Sequence, residues 1–355
     1  MRAALALARR GLGEVWPHPS VACIVAQGRR VVGRARTPAG GQSTAEVLAL
    51  AQAGEAARGA TVYLTLETGG APGVATLIKA HLGRVVIAME DPDPRLASKG
   101  IEALRRAGIE VTTGLLADAA EELNAGFLRR VIDGRPLVTV KLTTSLDGRI
   151  ATHAGEGKGI AGAESRAIAH RLRADSDAVM IGSGVALLEN SDLTCRLPGL
   201  DHRSPVRVVV DGRLRLPLTN AMIAGAAKTP TWIVCRNDNP PQRIAAFLDC
   251  GVEVIETVVN AERRVCLKSA LRELGRRGLS RVLVEGGSYL IAALLRDRLV
   301  DRLAWFHAPL LIGADGVAAT AAFGVDRLAQ AVRFRPLEVE ASGSDVFSYL
   351  AVETL

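Results

Sequence analysis

The sequence predicts an α/β protein of two domains, and three observations support this prediction. Apolar strand-like segments alternate with helical segments along the chain, which is the pattern of strands layered between helices. The 355 residues are long for one hydrophobic core and sufficient for two domains. Hydrophobic residues make up 48% of the composition, so a sizeable core is available. Gly134-Arg135-Pro136 is the natural boundary, and we place the domains at residues 1–134 and 135–355.

The first domain is predicted to alternate helix and strand. It begins with a helix at 2–11, and strands at 21–25 and 30–33 flank a Gln27-Gly28 turn. The remaining predicted elements are helix 45–57, strand 61–66, helix 73–82, strand 84–88, helix 97–107 and strand 109–113.

The second domain is predicted to begin with strand 137–142 and to continue with a helix at 163–174. Further strands are expected at 178–184, 206–211, 231–235 and 281–287, and a helix at 288–296. Two of the strands end in glycine-containing turns, Gly182-Ser183-Gly184 and Glu285-Gly286-Gly287. Glycine lets a backbone approach a phosphate, and a following helix offers free N–H groups. The spacing is not G-x-G-x-x-G, and a glycine pair after a strand is usually only a turn.

Composition argues against two classes of partner and favours a reducing compartment. The net charge is +7, but the basic residues are scattered pairs without an aromatic platform, so nucleic-acid binding is not expected. No apolar run reaches the roughly 18 residues that a membrane helix needs, and Arg9-Arg10 interrupts the N-terminal Ala/Leu stretch too early for a signal peptide. Five cysteines without C-x-x-C spacing predict free thiols and a cytoplasmic location.

A deaminase-like motif in the first domain has lost its metal ligands. Nucleobase deaminases carry H-x-E and P-C-x-x-C, in which the His and Cys bind zinc and the Glu moves protons. Here Glu46 keeps the Glu position, Thr44 stands at the His position and Gly69 at the first Cys position. No second Cys follows within reach. A zinc site needs three ligands with lone pairs, so we expect no zinc, and Glu46 is a vestigial proton shuttle.

The whole chain resembles the RibD family, which joins an N-terminal pyrimidine deaminase to a C-terminal pyrimidine reductase. The matching pieces outside the motif above are 1–8, 17–22, 90–94, 108–111, 123–127 and the segment from 134 almost to the end. The resemblance implies a cytidine-deaminase-like α/β/α domain followed by a dihydrofolate-reductase-like α/β domain. It also implies NADPH as the cofactor, a small phosphorylated pyrimidine as the substrate, and a homo-oligomer.

The resemblance assigns roles to residues of the second domain. The stretch Lys141–Ala151 is similar to the first motif of the reductase, although on spacing alone it is a polar strand end with an ordinary turn. By resemblance the catalytic residues are Lys141 and Asp147. The substrate side comprises Arg173, Leu193, Arg196 and Glu285; arginine suits phosphate because it donates bidentate bonds. The cofactor side comprises Thr143, Gly159, Val185, Glu189, Gly287 and Ser288.

Several family residues are replaced on the cofactor side. Gly157, Gly159 and Ala161 stand where the family usually has Ser, Trp and Thr. Val185 lacks a hydroxyl, and Glu189 is one methylene longer than the usual Asp. Each change is expected to weaken cofactor binding, most of all the loss of a Trp contact surface at Gly159.

Three functions follow as hypotheses. The first is a riboflavin-pathway reductase that reduces the ribosyl group of 5-amino-6-(5-phosphoribosylamino)uracil and is fused to an inactive deaminase domain. The second is a non-enzymatic pseudoenzyme in which both sites have drifted, and the third is a reductase of a different phosphoribosyl or pterin-like substrate. Affinity for NADPH separates the pseudoenzyme from the reductases.

Overall fold

The structure is a computed structural model and describes residues 1–68 and 71–353. It divides into two compact units: Met1–Arg135 with Arg277–Ser280, and Pro136–Arg276 with Arg281–Leu355. Both units contain strands and helices in alternation, so the predicted α/β class is confirmed. No helix among the described residues is both long enough and apolar enough to cross a bilayer.

The first unit is a mixed sheet with helices packed on it. Its elements are α1 Arg2–Arg9, β1 Ala22–Gln27, β2 Arg30–Arg36, α2 Ala45–Ala53, β3 Thr61–Leu64, α3 Ala71–Lys79, β4 Arg84–Ile87, α4 Lys99–Arg106, β5 Glu110–Thr113 and α5 Ala117–Asp133. Within the described residues the sheet has the order β2-β1-β3-β4-β5. Strand β1 is antiparallel to β2 and β3, whereas β3, β4 and β5 are parallel.

Helix α5 was not among the predicted elements. It is 17 residues long and ends at Gly134, which has a φ of +69° and so suits the left-handed C-cap that glycine favours. Asn124 and Gly126 in its interior are weak helix formers and interrupt the apolar periodicity. Both are nonetheless buried, because small or hydrogen-bonded residues let the helix pack closely.

The second unit is built on one long sheet. Its elements are β6 Leu137–Thr144, β7 Arg149–Ala151, α6 Ala163–Ala174, β8 Ala178–Gly182, α7 Ser183–Glu189, β9 Val206–Val210, α8 Ala221–Ala224, β10 Thr231–Arg236, α9 Pro241–Asp249, β11 Glu253–Thr257, α10 Leu267–Arg276, β12 Arg281–Val284, α11 Ser288–Arg296, β13 Arg302–His307, β14 Val317–Ala318, β15 Phe334–Ser342 and β16 Asp345–Val352. Within the described residues the sheet order is β11-β10-β9-β8-β12-β6-β13-β16-β15. The strands from β11 to β13 are parallel, and β16 and β15 are antiparallel additions.

The central strands of this sheet set the position of the site. Strands β8, β12 and β6 are adjacent and nearly all their residues are buried, as expected for parallel strands covered on both faces. Ligands of parallel α/β sheets bind beyond the carboxyl ends of the strands. Gly182 and Glu285 lie at or just beyond the ends of β8 and β12, and Lys141 lies on β6 one residue past the last residue that pairs with β12, so the sheet brings together three regions that are distant in sequence.

Candidate functional site

Lys141, Glu285 and Arg173 form an ionic network at the carboxyl edge of the central strands. Glu285 follows β12 directly, and Val284 pairs with Val140 of β6, so Glu285 lies beside Lys141. The Lys141 Nζ is 3.4 Å from Glu285 Oε2. Arg173, in the last turn of α6, donates from Nη2 to Oε2 at 2.8 Å and from Nε to Oε1. Two predicted substrate residues and one predicted catalytic residue are therefore in contact.

Glu285 is a carboxylate in this network although it is buried. Its side chain is only 4% exposed, and this burial by itself would raise its pKa. The positive charge of Lys141 and the hydrogen bonds from Arg173 outweigh burial and lower the pKa to about 2. Two cations surround one anion, so the cluster keeps a net positive charge that favours an anionic ligand.

Leu193 does not present its side chain to the site. It is 3% exposed and packs in the hydrophobic core of the second unit, and its φ of +55° is unusual for a residue with a Cβ. Next to it, the Thr194 carbonyl accepts from Arg173 Nη1 at 3.0 Å. The predicted substrate residue Leu193 therefore shapes the segment that carries Arg196 through its backbone conformation.

Arg196 is the exposed cation of this segment. Its Nη1 lies 3.0 Å from Asp192 Oδ1, and both side chains are at least half exposed. An exposed pair of this kind is weak, so the guanidinium is available to a stronger anion.

His170 belongs to the same cluster and was not predicted from the sequence. Its Nδ1 accepts a hydrogen bond from the main-chain N–H of Arg196 at 3.2 Å. Burial, followed by the charges of Arg173 and Arg196, lowers its pKa. The spacing of three residues between His170 and Arg173 on α6 places them on one helix face, and this spacing was the signal available in the sequence.

Asp147 is engaged by the turn in which it lies. Its Oδ1 accepts from Ser145 Oγ at 2.6 Å and from the Ile312 N–H at 3.1 Å, and its Oδ2 accepts from the Gly313 N–H at 2.7 Å. The bonds from Ser145 and from these amides lower its pKa to about 2. At neutral pH it therefore has no proton to donate, and it ties the Ser145–Arg149 turn to the segment after β13.

The turn after Glu285 has the shape expected of a phosphate-binding backbone. Gly286 and Gly287 have φ values of +119° and +94°, which glycine adopts without strain. A Cβ on Gly286 would lie 3.7 Å from Val185 Cγ2, so the predicted cofactor residue Val185 packs under this turn. Helix α11 starts at Ser288, and among the described residues no side chain caps it, which leaves its first N–H groups open to an anion.

The other predicted cofactor residues are spread over three elements. Thr143 is half-buried on β6, where it pairs with Phe306. Glu189 is exposed at the end of α7, and Gly159 has a φ of +95° between β7 and α6. In the same loop, a Cβ on Gly157 would come within 2.5 Å of the Ile150 carbonyl oxygen. The loop conformation therefore requires glycine at position 157, where the resemblance led us to expect serine.

The first unit buries Glu46 beneath α3. Glu46 lies in the first turn of α2 and is 2% exposed, and its Oε1 accepts from Thr68 Oγ1 at 2.6 Å. A Cβ on Gly73 would lie only 2.0 Å from the same oxygen, so α3 approaches the carboxylate as closely as glycine permits. Thr44 is exposed as the N-cap of α2, and Gly69 lies outside the described residues.

Side chains of the kinds that bind metals are not clustered among the described residues of this unit. No group of three or more His, Cys, Asp or Glu that could hold a metal occurs among the described residues. Cys23 is the only cysteine among the described residues of this unit, and burial, and secondarily the charge of Glu46, raises its pKa.

Comparisons with known proteins agree with this arrangement. The family described as the RibD C-terminal domain matches residues 136–348. The riboflavin biosynthesis protein RibD of Bacillus amyloliquefaciens is 39% identical over 319 residues, which are 88% of this chain and 84% of that protein.

Two solved structures share the fold over nearly the whole length. RibD of Acinetobacter baumannii has a TM-score of 0.86 at 34% identity and covers 99% of this chain and 97% of its own. A diaminohydroxyphosphoribosylaminopyrimidine deaminase/5-amino-6-(5-phosphoribosylamino)uracil reductase of Thermotoga maritima has a TM-score of 0.85 at 29% identity, with coverages of 99% and 97%. These matches confirm the predicted combination of a deaminase-like and a reductase-like domain.

Proposed function

Since the chain belongs to the RibD family of riboflavin biosynthesis proteins, we propose that its second unit is a pyrimidine reductase. It uses NADPH to reduce the ribosyl group of 5-amino-6-(5-phosphoribosylamino)uracil. The observation that carries this proposal is the network of Lys141, Glu285 and Arg173 beside the Gly286-Gly287 turn. It combines an anion-attracting cluster, a buried carboxylate and a backbone suited to phosphate at one sheet edge.

The substrate is held by charge at one end and by hydrogen bonds at the other. Arg196 offers its guanidinium to the phosphate, which competes with the exposed Asp192. Glu285 remains ionised and accepts hydrogen bonds from the N–H groups of the pyrimidine. Arg173 orients Glu285 through two hydrogen bonds and, through the Thr194 carbonyl, supports the segment that leads to Arg196.

The cofactor fits the second half of the site. Gly286, Gly287 and the free N–H groups of Ser288 and its neighbours suit a pyrophosphate, and Val185 supplies an apolar floor. NADPH supplies the hydride when it is bound. The replaced residues Gly159, Val185 and Glu189 remain proposed cofactor contacts of reduced strength.

Lys141 is the proposed proton donor. Reduction at the ribosyl carbon releases the ring oxygen, which needs a proton. Lys141 carries one and is held by Glu285 at 3.4 Å. Asp147 is ionised and fully engaged in its turn, so we assign it a positioning role in place of catalysis.

The first unit, in this proposal, does not deaminate. The Glu46 carboxylate accepts a hydrogen bond from Thr68 and packs closely against Gly73 of α3. Thr44 has no imidazole with which to bind a metal. Without an activated water, a proton shuttle has nothing to deliver. The first unit is retained in the chain for packing or for assembly of a homo-oligomer. The mass of the protein in solution tests whether a homo-oligomer forms.

The reductase is tested by titration and turnover with the full chain. We expect NADPH binding by calorimetry, oxidation of NADPH in the presence of 5-amino-6-(5-phosphoribosylamino)uracil, and loss of turnover with retained NADPH binding in Lys141→Gln. No binding at millimolar NADPH would favour the pseudoenzyme. Binding without turnover of this substrate would favour a different phosphoribosyl or pterin-like substrate.

The inactive deaminase is tested by metal analysis and by product analysis. We expect sub-stoichiometric zinc after purification with zinc in the medium, and no ammonia from the corresponding diaminopyrimidine. Stoichiometric zinc together with deamination that Glu46→Gln abolishes would overturn this part of the proposal without affecting the reductase.

A further inference from the structure

The short segment 192–196 is held in an unusual conformation by helix α6. Leu193 is buried with a left-handed φ of +55°, a conformation that costs energy in a residue with a Cβ and persists only where its surroundings enforce it. Three hydrogen bonds join the segment to α6: Arg173 Nη1 donates to the Thr194 carbonyl at 3.0 Å, Cys195 Sγ donates to the His170 carbonyl at 3.5 Å, and the Arg196 N–H donates to His170 Nδ1 at 3.2 Å.

The last of these bonds fixes the state of the imidazole. Nδ1 can accept only if it carries no proton, so the ring is neutral with its hydrogen on Nε2. The charged groups that act on the ring are Arg173 on its own helix, Arg196 and Asp192 on the segment, and Glu285 after β12. Burial and the two arginines outweigh the two carboxylates and lower the pKa of His170, which keeps the acceptor available at neutral pH.

We propose that His170 is a positioning residue that fixes the main chain of Arg196 and thereby directs its guanidinium at the substrate phosphate. This inference rests on the proposed function, in which Arg196 binds that phosphate. The hydrogen bond from the Arg196 N–H to His170 Nδ1, which we call the anchor, matters because the Arg196 guanidinium changes partners. In the free protein the Arg196 guanidinium lies 3.0 Å from Asp192, and a bound phosphate must replace Asp192 as its partner. An anchor on the main chain keeps residue 196 in place during that exchange, which a side-chain contact alone would not do.

Among the groups proposed to bind ligands, the anchor affects only Arg196. Arg173 contacts Thr194 and Glu285 without using His170, and the Gly286-Gly287 turn lies on another element. Loss of the Nδ1 acceptor is therefore expected to weaken binding of a phosphorylated ligand and to leave NADPH binding unchanged.

Two variants of the full chain test this expectation. His170→Leu removes the acceptor, whereas His170→Asn places its amide oxygen near the position of Nδ1 and serves as the matched control. Calorimetry with ribose 5-phosphate is expected to show about tenfold weaker binding for His170→Leu, the equivalent of one net hydrogen bond, and near-native binding for His170→Asn. The dissociation constant for NADPH is expected to stay the same in both, which also shows that both fold.

A double-mutant cycle separates positioning from mere support of the fold. In the Arg196→Ala background His170→Leu should have no further effect on ribose 5-phosphate binding, because its action passes through Arg196. An undiminished effect in that background, or equal losses in His170→Leu and His170→Asn, would overturn the inference. Failure of the unmodified protein to bind ribose 5-phosphate would instead contradict the phosphate site of the proposed function and overturn the inference with it. Intact phosphate binding in His170→Leu would overturn the inference alone.

Discussion

Glu285 illustrates how a single buried charge can be held by its neighbours. Its folded pKa of about 2 lies below the ordinary value of 4.5, so its ionisation stabilises the folded state above pH 4.5 and this contribution is lost as the pH falls toward 2. A depression of this size corresponds to about 3 kcal/mol at roughly 1.4 kcal/mol per pKa unit. The sign follows from the folded pKa being lower than the unfolded one.

We therefore expect Glu285→Gln to destabilise the protein by a few kcal/mol at pH 7, since it also leaves two cations without their anion. The difference in unfolding free energy between the two proteins should shrink between pH 5 and pH 3. Urea denaturation at several pH values measures this. Glu340→Gln, an exposed residue of β15, is the control and should show no pH-dependent difference. A constant gap for Glu285→Gln across the range would show that the charge is not what stabilises the site.

Asp147 gives a second prediction at this scale. The N–H groups of Ile312 and Gly313 donate to different carboxylate oxygens of Asp147, and in Asp147→Asn one of these oxygens becomes an NH₂ group that cannot accept. We expect these two amides to exchange their hydrogens faster, while those of the central strand β12 keep their protection. Exchange measured by mass spectrometry checks the result, and unchanged exchange at Ile312 and Gly313 would contradict the assigned role.

The residues that sequence reasoning found, and those it missed, differ in a physical way. Lys141, Arg173 and Glu285 were assigned by resemblance. The strand register places Lys141 beside Glu285, and Arg173 reaches Glu285 from helix α6. Leu193 was assigned to the substrate, but its apolar side chain is buried and only its backbone serves the segment. His170 was not predicted because it accepts its hydrogen bond from a main-chain N–H: its spacing from Arg173 places both residues on one helix face but does not reveal that bond.

At the scale of the element, helix α3 packs closely against Glu46 of α2 because position 73 is a glycine. A Cβ on Gly73 would lie 2.0 Å from Glu46 Oε1 and 2.3 Å from Thr68 Oγ1, so Gly73→Ala should destabilise the first unit by about 1–3 kcal/mol through overpacking. Adding Glu46→Ala should recover part of that loss. Gly184→Ala in α7, where nothing lies within 4 Å, should be neutral or slightly stabilising. Thermal unfolding of the four proteins measures these effects, and equal losses at both glycines would refute the steric explanation.

Whole elements were predicted where the apolar pattern was strong. The helices at 163–174 and 288–296 have the predicted bounds, and the five strands predicted in the second unit lie within a few residues of their predicted bounds, whereas β11, β13 and β16 were not predicted. Strand β15 was not predicted, since most of its residues are exposed and it contains Pro336. Both properties are typical of an edge strand, whose pairing depends on its neighbour β16 more than on its own sequence.

At the scale of the whole molecule, we expect the substrate to keep its affinity and NADPH to lose part of its affinity. By the resemblance, the proposed substrate groups Arg173, Arg196 and Glu285 are retained, whereas Gly157, Gly159, Ala161 and Val185 stand in place of polar or aromatic residues of the proposed cofactor site. Two or three lost interactions of about 0.5–1.5 kcal/mol or more each predict NADPH binding weaker by one to three orders of magnitude, roughly, than in a relative with the full motif. Parallel calorimetry on both proteins decides this, and equal affinities would show that those residues contribute little.

The order of strands in the large sheet has a consequence for how the protein is made. Strand β12 lies between β8 and β6, yet it is translated about a hundred residues after β8. When the nascent chain has emerged from the ribosome only as far as α10, the apolar strands β6 and β8 are already present. Strand β12, which pairs with both of them, has not yet been synthesised. Such exposed strand edges invite mispairing. The cluster of Lys141, Arg173 and Glu285 can therefore assemble only after β12 has been synthesised, and the edges of β6 and β8 that pair with β12 have no partner until then.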